Sequence, residues 1–91
     1  MNKYLTVGDR IKISIDYHWA KNATGEIVKV PDYIIEIAEG WKNSVREVAT
    51  AHGNLYFYWV KFDEPQIDDD DGPYFEAEID SNFITPFNKN N

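Results

Sequence analysis

The segment Asp16-Tyr-His-Trp-Ala-Lys-Asn22 gathers the groups in this chain best suited to contacting another molecule. Tyr17 and Trp19 offer broad apolar rings with a polar atom at the rim, the combination that supplies most contact energy where proteins meet. His18 adds an imidazole and Lys21 a cation on a flexible stem. A second cluster lies in Leu55-Tyr-Phe-Tyr-Trp-Val-Lys-Phe62, where Phe57, Trp59 and Lys61 share one side of an alternating pattern. Lys61 must reach water, so Phe57 and Trp59 belong to an outer face. There they are either covered by the chain at 33–44 or exposed as a binding stripe. The candidate partner-binding residues are therefore Tyr17, His18, Trp19, Lys21, Phe57 and Trp59.

The acidic run 63–73 invites other chemistry. With Gly72 at the sixth position of a calcium loop, Asp69, Asp71 and Glu78 fall third, fifth and twelfth. The first position is then Ile67, which has no oxygen ligand, and no helical pattern flanks the run, so this is not an EF-hand. A weak, non-specific divalent site on Asp68, Asp69, Asp70 and Asp71 stays open. Acids abound, yet nothing in their spacing fixes one pair at a catalytic separation. The chain has no Gly-flanked nucleophilic Ser, no phosphate-cradling Gly loop and no His pair at ligand spacing. The absence of cysteine removes thiolate metal sites, disulfides and a Cys nucleophile. The expectation is a non-enzymatic protein, without a cofactor and with no small-molecule substrate implied.

Strands must position these groups. In Val7-Gly-Asp-Arg-Ile-Lys-Ile-Ser-Ile15 the residues Ile11, Ile13 and Ile15 alternate with Arg10, Lys12 and Ser14, the period of a half-buried strand. Ala23-Thr-Gly-Glu-Ile-Val-Lys-Val30 reads as a second strand, opened by Gly25 and closed by Pro31. Two short strands joined by the aromatic loop suggest a small curled antiparallel barrel, with Trp19 as either its lid or a docking anchor. Tyr33-Ile-Ile-Glu-Ile37 fits a strand continuation or a turn of helix, and Gly40-Trp-Lys-Asn-Ser44 reads as a loop. Val45–Thr50 and Leu55–Phe62 flank Ala51-His-Gly-Asn54, whose Gly-Asn supplies a hairpin reversal. Two prolines, a glycine and six acids make 63–73 a solvated, disordered loop. Tyr74–Asp80 alternates as a strand, Ser81–Phe83 turns, and a last short strand precedes the polar tail 88–91. The core predicted from these faces is Ile11, Ile13, Ile27, Val60, Phe62 and Ile79.

With 91 residues, the chain makes one domain, with too small a core to hollow out for a large substrate. It has no apolar run near the roughly 18 residues of a membrane span and no apolar leader, so a cytoplasmic location is expected. Net charge is −7, and it is uneven: residues 1–62 carry eight bases and seven acids, residues 63–91 one base and nine acids. Such a field repels nucleic-acid phosphates and attracts cationic surfaces.

Three blocks resemble a known group of proteins: Gly8-Asp-Arg-Ile-Lys-Ile13, Tyr17-His-Trp-Ala-Lys-Asn-Ala-Thr-Gly25-Glu-Ile-Val, and Tyr58-Trp-Val-Lys-Phe-Asp63. With Asp80-Ser-Asn-Phe83 as a weaker fourth, they are similar to the E subunit of photosystem I and to the variable chain of ferredoxin–thioredoxin reductase. The resemblance implies an SH3-like barrel, and the expected fold is all-β, with five or six strands; the chain departs from the family by about twenty extra residues between strands, read as a β-hairpin insertion at 32–54. The resemblance also implies an accessory role, docking onto a larger protein complex related to electron transfer. Arg10, Lys12 and Lys61 match basic positions of that family's docking surface, but here acids outnumber them. The first two strands, Val7-Gly-Asp-Arg-Ile-Lys-Ile13 and Ala23-Thr-Gly-Glu-Ile-Val-Lys-Val30, are also similar to the KOW motif, which makes an RNA-associated domain the alternative. The bases are too few and too diluted to favour it.

Overall fold

The computed structural model describes residues 5–87, and the polar tail 88–91 lies outside them. One antiparallel sheet curls into a half-barrel. Its strands are β1 Arg10–Ile13, β2 Thr24–Ile27, β3 Trp41–Lys42, β4 Val45–Thr50, β5 Gly53–Asp68, β6 Asp71–Asp80 and β7 Ile84–Pro86. A short helix, α1, covers Asp32–Ile37, and a 3-10 turn covers Ser81–Phe83. The order is β3-β4-β5-β2-β1-β7, with β6 also paired to β5. The series β7-β1-β2-β5-β6 is compatible with the SH3-like expectation. β4 is the expected first arm of the hairpin, whereas β3 forms at Trp41–Lys42 within the stretch 40–44 expected to be a loop, because those two residues pair with Arg46 and Val45; both strands and α1 fall in the segment 32–54.

β5 organises the sheet. One of its edges pairs first with β4, through residues 53–58, and then with β2, through residues 60–62. Trp59 sits at the join: its N–H donates to Ser44 O at 3.0 Å and its carbonyl accepts from Val28 N–H at 3.1 Å. The other edge carries β6. Gly25 is not a strand opener but a close-approach site in mid-strand, because a Cβ there would collide with the Lys61 carbonyl oxygen.

The concave face holds the main core. Ile11, Ile13, Ile27, Val60 and Ile79 are fully buried and pack with Phe62, as the alternation requires. Ile15 departs from the pattern and is 63% exposed. β1 ends at Ile13 because the chain turns at Ser14, whose N–H donates to Phe83 O and whose Oγ accepts from the Asp16 N–H. The β4–β5 reversal is made by Ala51-His52, not Gly53-Asn54: Thr50 pairs with Gly53, which takes φ +123° as the first residue of β5.

The acidic loop expected at 63–73 is instead a hairpin. Residues 63–68 extend β5 and 71–73 open β6, leaving Asp69-Asp70 as a two-residue turn with Asp68 opposite Asp71. Three local facts explain why strand survives here. Pro65 falls in an irregular stretch between the Lys61–Glu76 and Gln66–Tyr74 pairs, where its missing N–H breaks no ladder bond. Asp69 takes φ +56°, which aspartate tolerates better than most residues. Asp63 is neutralised by a base from β1, described below.

A second, smaller core lies outside the half-barrel. Val30, Trp41 and Trp59 are buried there, with Val28, Ile34, Ala38 and Phe57 packed against them. The segment 33–37 resolves to helix: α1 turns Ile34 inward, Ala38 just past its end packs beside it, and Tyr33, Ile35 and Ile37 stay exposed. No described helix is long and apolar enough to cross a membrane.

Candidate docking surface

The aromatic loop is tied down at both ends. Ile13 N–H donates to Ala23 O at 2.8 Å and Asn22 N–H to Ile13 O at 3.0 Å, so residues 14–22 leave β1 and return to β2 at one point. Within the loop Tyr17 N–H bonds Ser14 O and Ala23 N–H bonds Ala20 O. Ala20 and Asn22 take positive φ, 51° and 64°, which turns the chain sharply after Trp19.

The loop residues diverge in role. Tyr17 is buried: its ring lies 5.0 Å from Phe83, and its hydroxyl accepts the Asp80 N–H at 3.3 Å. Burial raises its pKa above the ordinary tyrosine value. His18 is exposed, its ring edge-on to Tyr17 at 4.4 Å. Trp19 is half-buried and stands edge-on between two rings, Phe62 of the core and Tyr74 of β6, both 5.7 Å away. It is at once a partial lid on the core and a ring with part of its surface open to solvent. Tyr74 in turn donates its hydroxyl to Asp71 Oδ2 at 2.7 Å, which raises its pKa. Rings and acids thus form one continuous surface from Trp19 through Tyr74 to the Asp68–Asp71 turn.

Lys21 lines a polar cavity of about 270 Å³ together with Asn22, Thr24, Asp63 and Gln66, the last of these paired across the ladder with Tyr74. Asp63, in the wall of that cavity, belongs to an ion pair that no local sequence pattern reveals. Arg10 grips Asp63 with both terminal nitrogens, Nη1 to Oδ1 at 2.9 Å and Nη2 to Oδ2, and Thr24 Oγ1 donates to Oδ2 at 2.6 Å. The hydrogen bond to Asp63 raises the Arg10 pKa. The residues stand 53 apart in sequence, so no local pattern announces the pair.

Phe57 and Trp59 occupy the outer core, on a different part of the molecule. Trp59 is 7% exposed; Trp41 meets it edge-on at 5.7 Å, and its Nε1 donates to Glu76 Oε1 at 2.7 Å. Of the two arrangements open for this face, it is covered. Among the described residues, no three His, Cys, Asp or Glu side chains converge as a metal site, the Asp68–Asp71 turn included. Of the six candidates, Tyr17 and His18 are in ring contact, Trp19 lies against Phe62 and Tyr74, Lys21 of the same loop lines the polar cavity, and Phe57 and Trp59 belong to the outer core.

Comparison with family models, with curated proteins and with solved structures returns no match.

Proposed function

We propose that this chain is a non-enzymatic binding module that docks onto a larger, positively charged protein surface. The observation that carries the reading is Trp19, held half-buried between Phe62 and Tyr74 beside an acidic turn. Neighbouring rings limit its motion, so little ordering entropy remains to be lost on contact. An aromatic anchor with a charged rim is the usual anatomy of a contact centre, with the ring supplying affinity and the acids steering and register. Tyr17 and His18 flank the anchor, Tyr17 by fixing the loop and His18 by remaining open to solvent. The net charge of −7 supports a cationic protein over RNA. An electron-transfer complex is one such partner, and its support is the resemblance in the three sequence blocks alone.

The test is capture of a partner from the native cell extract by wild type and by Trp19→Ala, each with its melting temperature. Under the docking reading the variant melts within a few degrees of wild type and loses the partner. A variant that still captures the partner, or that melts far lower, places the docking surface elsewhere. Retention on a basic-protein column that falls with salt, without retention on immobilised nucleic acid, separates docking from the RNA alternative.

A further inference from the structure

β5 carries strands along both edges, whereas β6 pairs only with β5 among the described residues. The ladder determines which peptide groups face the second edge of β6. Trp59 spends its N–H on Ser44 and its carbonyl on Val28, so its peptide groups point away from β6. Trp59 lies opposite Glu78, and in an antiparallel pair of this kind both residues direct N–H and C=O outward. The period of two gives the same orientation to Glu76, opposite Lys61, and to Asp80, opposite Phe57. Asp80 agrees, since its N–H is taken by the Tyr17 hydroxyl rather than by β5. Ala77 and Ile79 therefore bond back to β5, while Glu76 and Glu78 present an open ladder with no protein partner among the described residues.

We infer that this edge accepts an extended segment of a partner protein as an added strand, with Lys or Arg directly opposite Glu76 and Glu78. The inference deepens the docking reading and rests on it. Added strands gain affinity from main-chain bonds and selectivity from alternate side chains. Opposite charges facing each other across a ladder stabilise the pair, and like charges destabilise it. A second copy of this chain would set acids against acids on a body already at −7. The same residues that guard the edge against self-pairing thus select a cationic strand. The residue between the two bases would sit beside half-buried Ala77, facing the concave side, and would best be apolar. Glu76 and Glu78 are held in place for this role by Trp59 Nε1 and by Arg46 Nη1, the latter at 3.2 Å from Glu78 Oε1.

The probe is a short capped peptide alternating lysine and valine, titrated into the full chain while amide exchange is followed residue by residue. Exchange at the Glu76 and Glu78 amides should slow about tenfold or more at saturation, while the already paired Ala77 and Ile79 amides stay unchanged. N-methylating the peptide's lysine amides, which must donate to Glu76 and Glu78, should weaken binding by about tenfold or more, the scale of one lost hydrogen bond. Replacing lysine by glutamate should abolish binding. Unchanged exchange at Glu76 and Glu78, or equal binding of the N-methylated or glutamate peptide, overturns the inference. Binding reported only by the Trp19 indole N–H overturns the added strand but leaves the docking reading standing. That reading falls on its own test, the Trp19→Ala capture.

Discussion

The two cores of this protein are built on different terms. The concave core is aliphatic at its centre, and Ile11, Ile13, Ile27, Val60 and Ile79 from four strands bury no side-chain polar atom. The outer core is two indoles and a valine under a six-residue helix that contains no buried residue of its own. It also carries polar atoms: Trp59 Nε1 is satisfied by Glu76, whereas Trp41 Nε1 is buried without a partner. An orphan buried donor costs about 1–3 kcal/mol. The main core should therefore set global stability, and the outer core should open locally at lower cost.

Substitutions can break this ranking. The largest effect is expected for Ile13→Ala, about 2–5 kcal/mol by denaturant titration, because a rigid concave face cannot collapse onto the cavity. A loss below ~0.5 kcal/mol would place the main core elsewhere. Trp59→Phe should cost about 1–2 kcal/mol, since it strips the Glu76 carboxylate of its indole donor and shrinks the ring. Tyr17→Phe removes a hydroxyl accepting the Asp80 N–H and should cost about 1 kcal/mol at neutral pH.

Tyr17 also sharpens the comparison through pH. Its folded pKa is raised, so the folded state keeps the proton longer than the unfolded chain does. Its contribution is intact below the unfolded tyrosine value of about 10 and is lost as pH rises from there through the folded value. Stability of wild type should fall over that alkaline window, and Tyr17→Phe should flatten the fall. The smallest effect is expected for Trp41→Phe, within about 0.5 kcal/mol of wild type, because losing the orphan N–H offsets the smaller ring. Equal costs for Trp41→Phe and Trp59→Phe would show that polar satisfaction does not separate the two indoles.

What could be read from the sequence was whatever repeats with a period of two over a short stretch. Ile11 and Ile13, Val60 and Phe62, and Ile79 in the strand ending at Asp80 all follow from alternation, and so does the inward face they share. Ile15 belongs to the same alternation and fails because a turn at Ser14 ends the strand, which hydropathy does not record. The extension of β5 through Asp63-Glu64-Pro65 was hidden for a related reason. Each residue argues locally against strand, and what overrides them is Arg10 on β1, 53 residues away in sequence. Trp41 sits on a two-residue strand, too short to show any period. The loop 16–22 was legible as a cluster of contact groups. The split that buries Tyr17, leaves His18 open and wedges Trp19 between two rings depends on Phe83, Phe62 and Tyr74, all distant in sequence.

The handover at Trp59 has a consequence for how this chain could be shortened or lengthened. Val28 and Ser44 bond to the same residue, and Val30 N–H reaches Asn43 O at 2.8 Å, so the excursion between them leaves and re-enters the sheet at neighbouring points. It is a detour with a closed neck. Cutting it out and bridging the neck would keep the pairings of β1 with β2 and β7, of β2 with β5, and of β5 with β6. It would also strip Trp41, Ile34 and Ala38 from the Trp59 indole. The trimmed molecule should therefore fold and then associate through a newly bared tryptophan, so the detour's main physical service is to keep that ring dry.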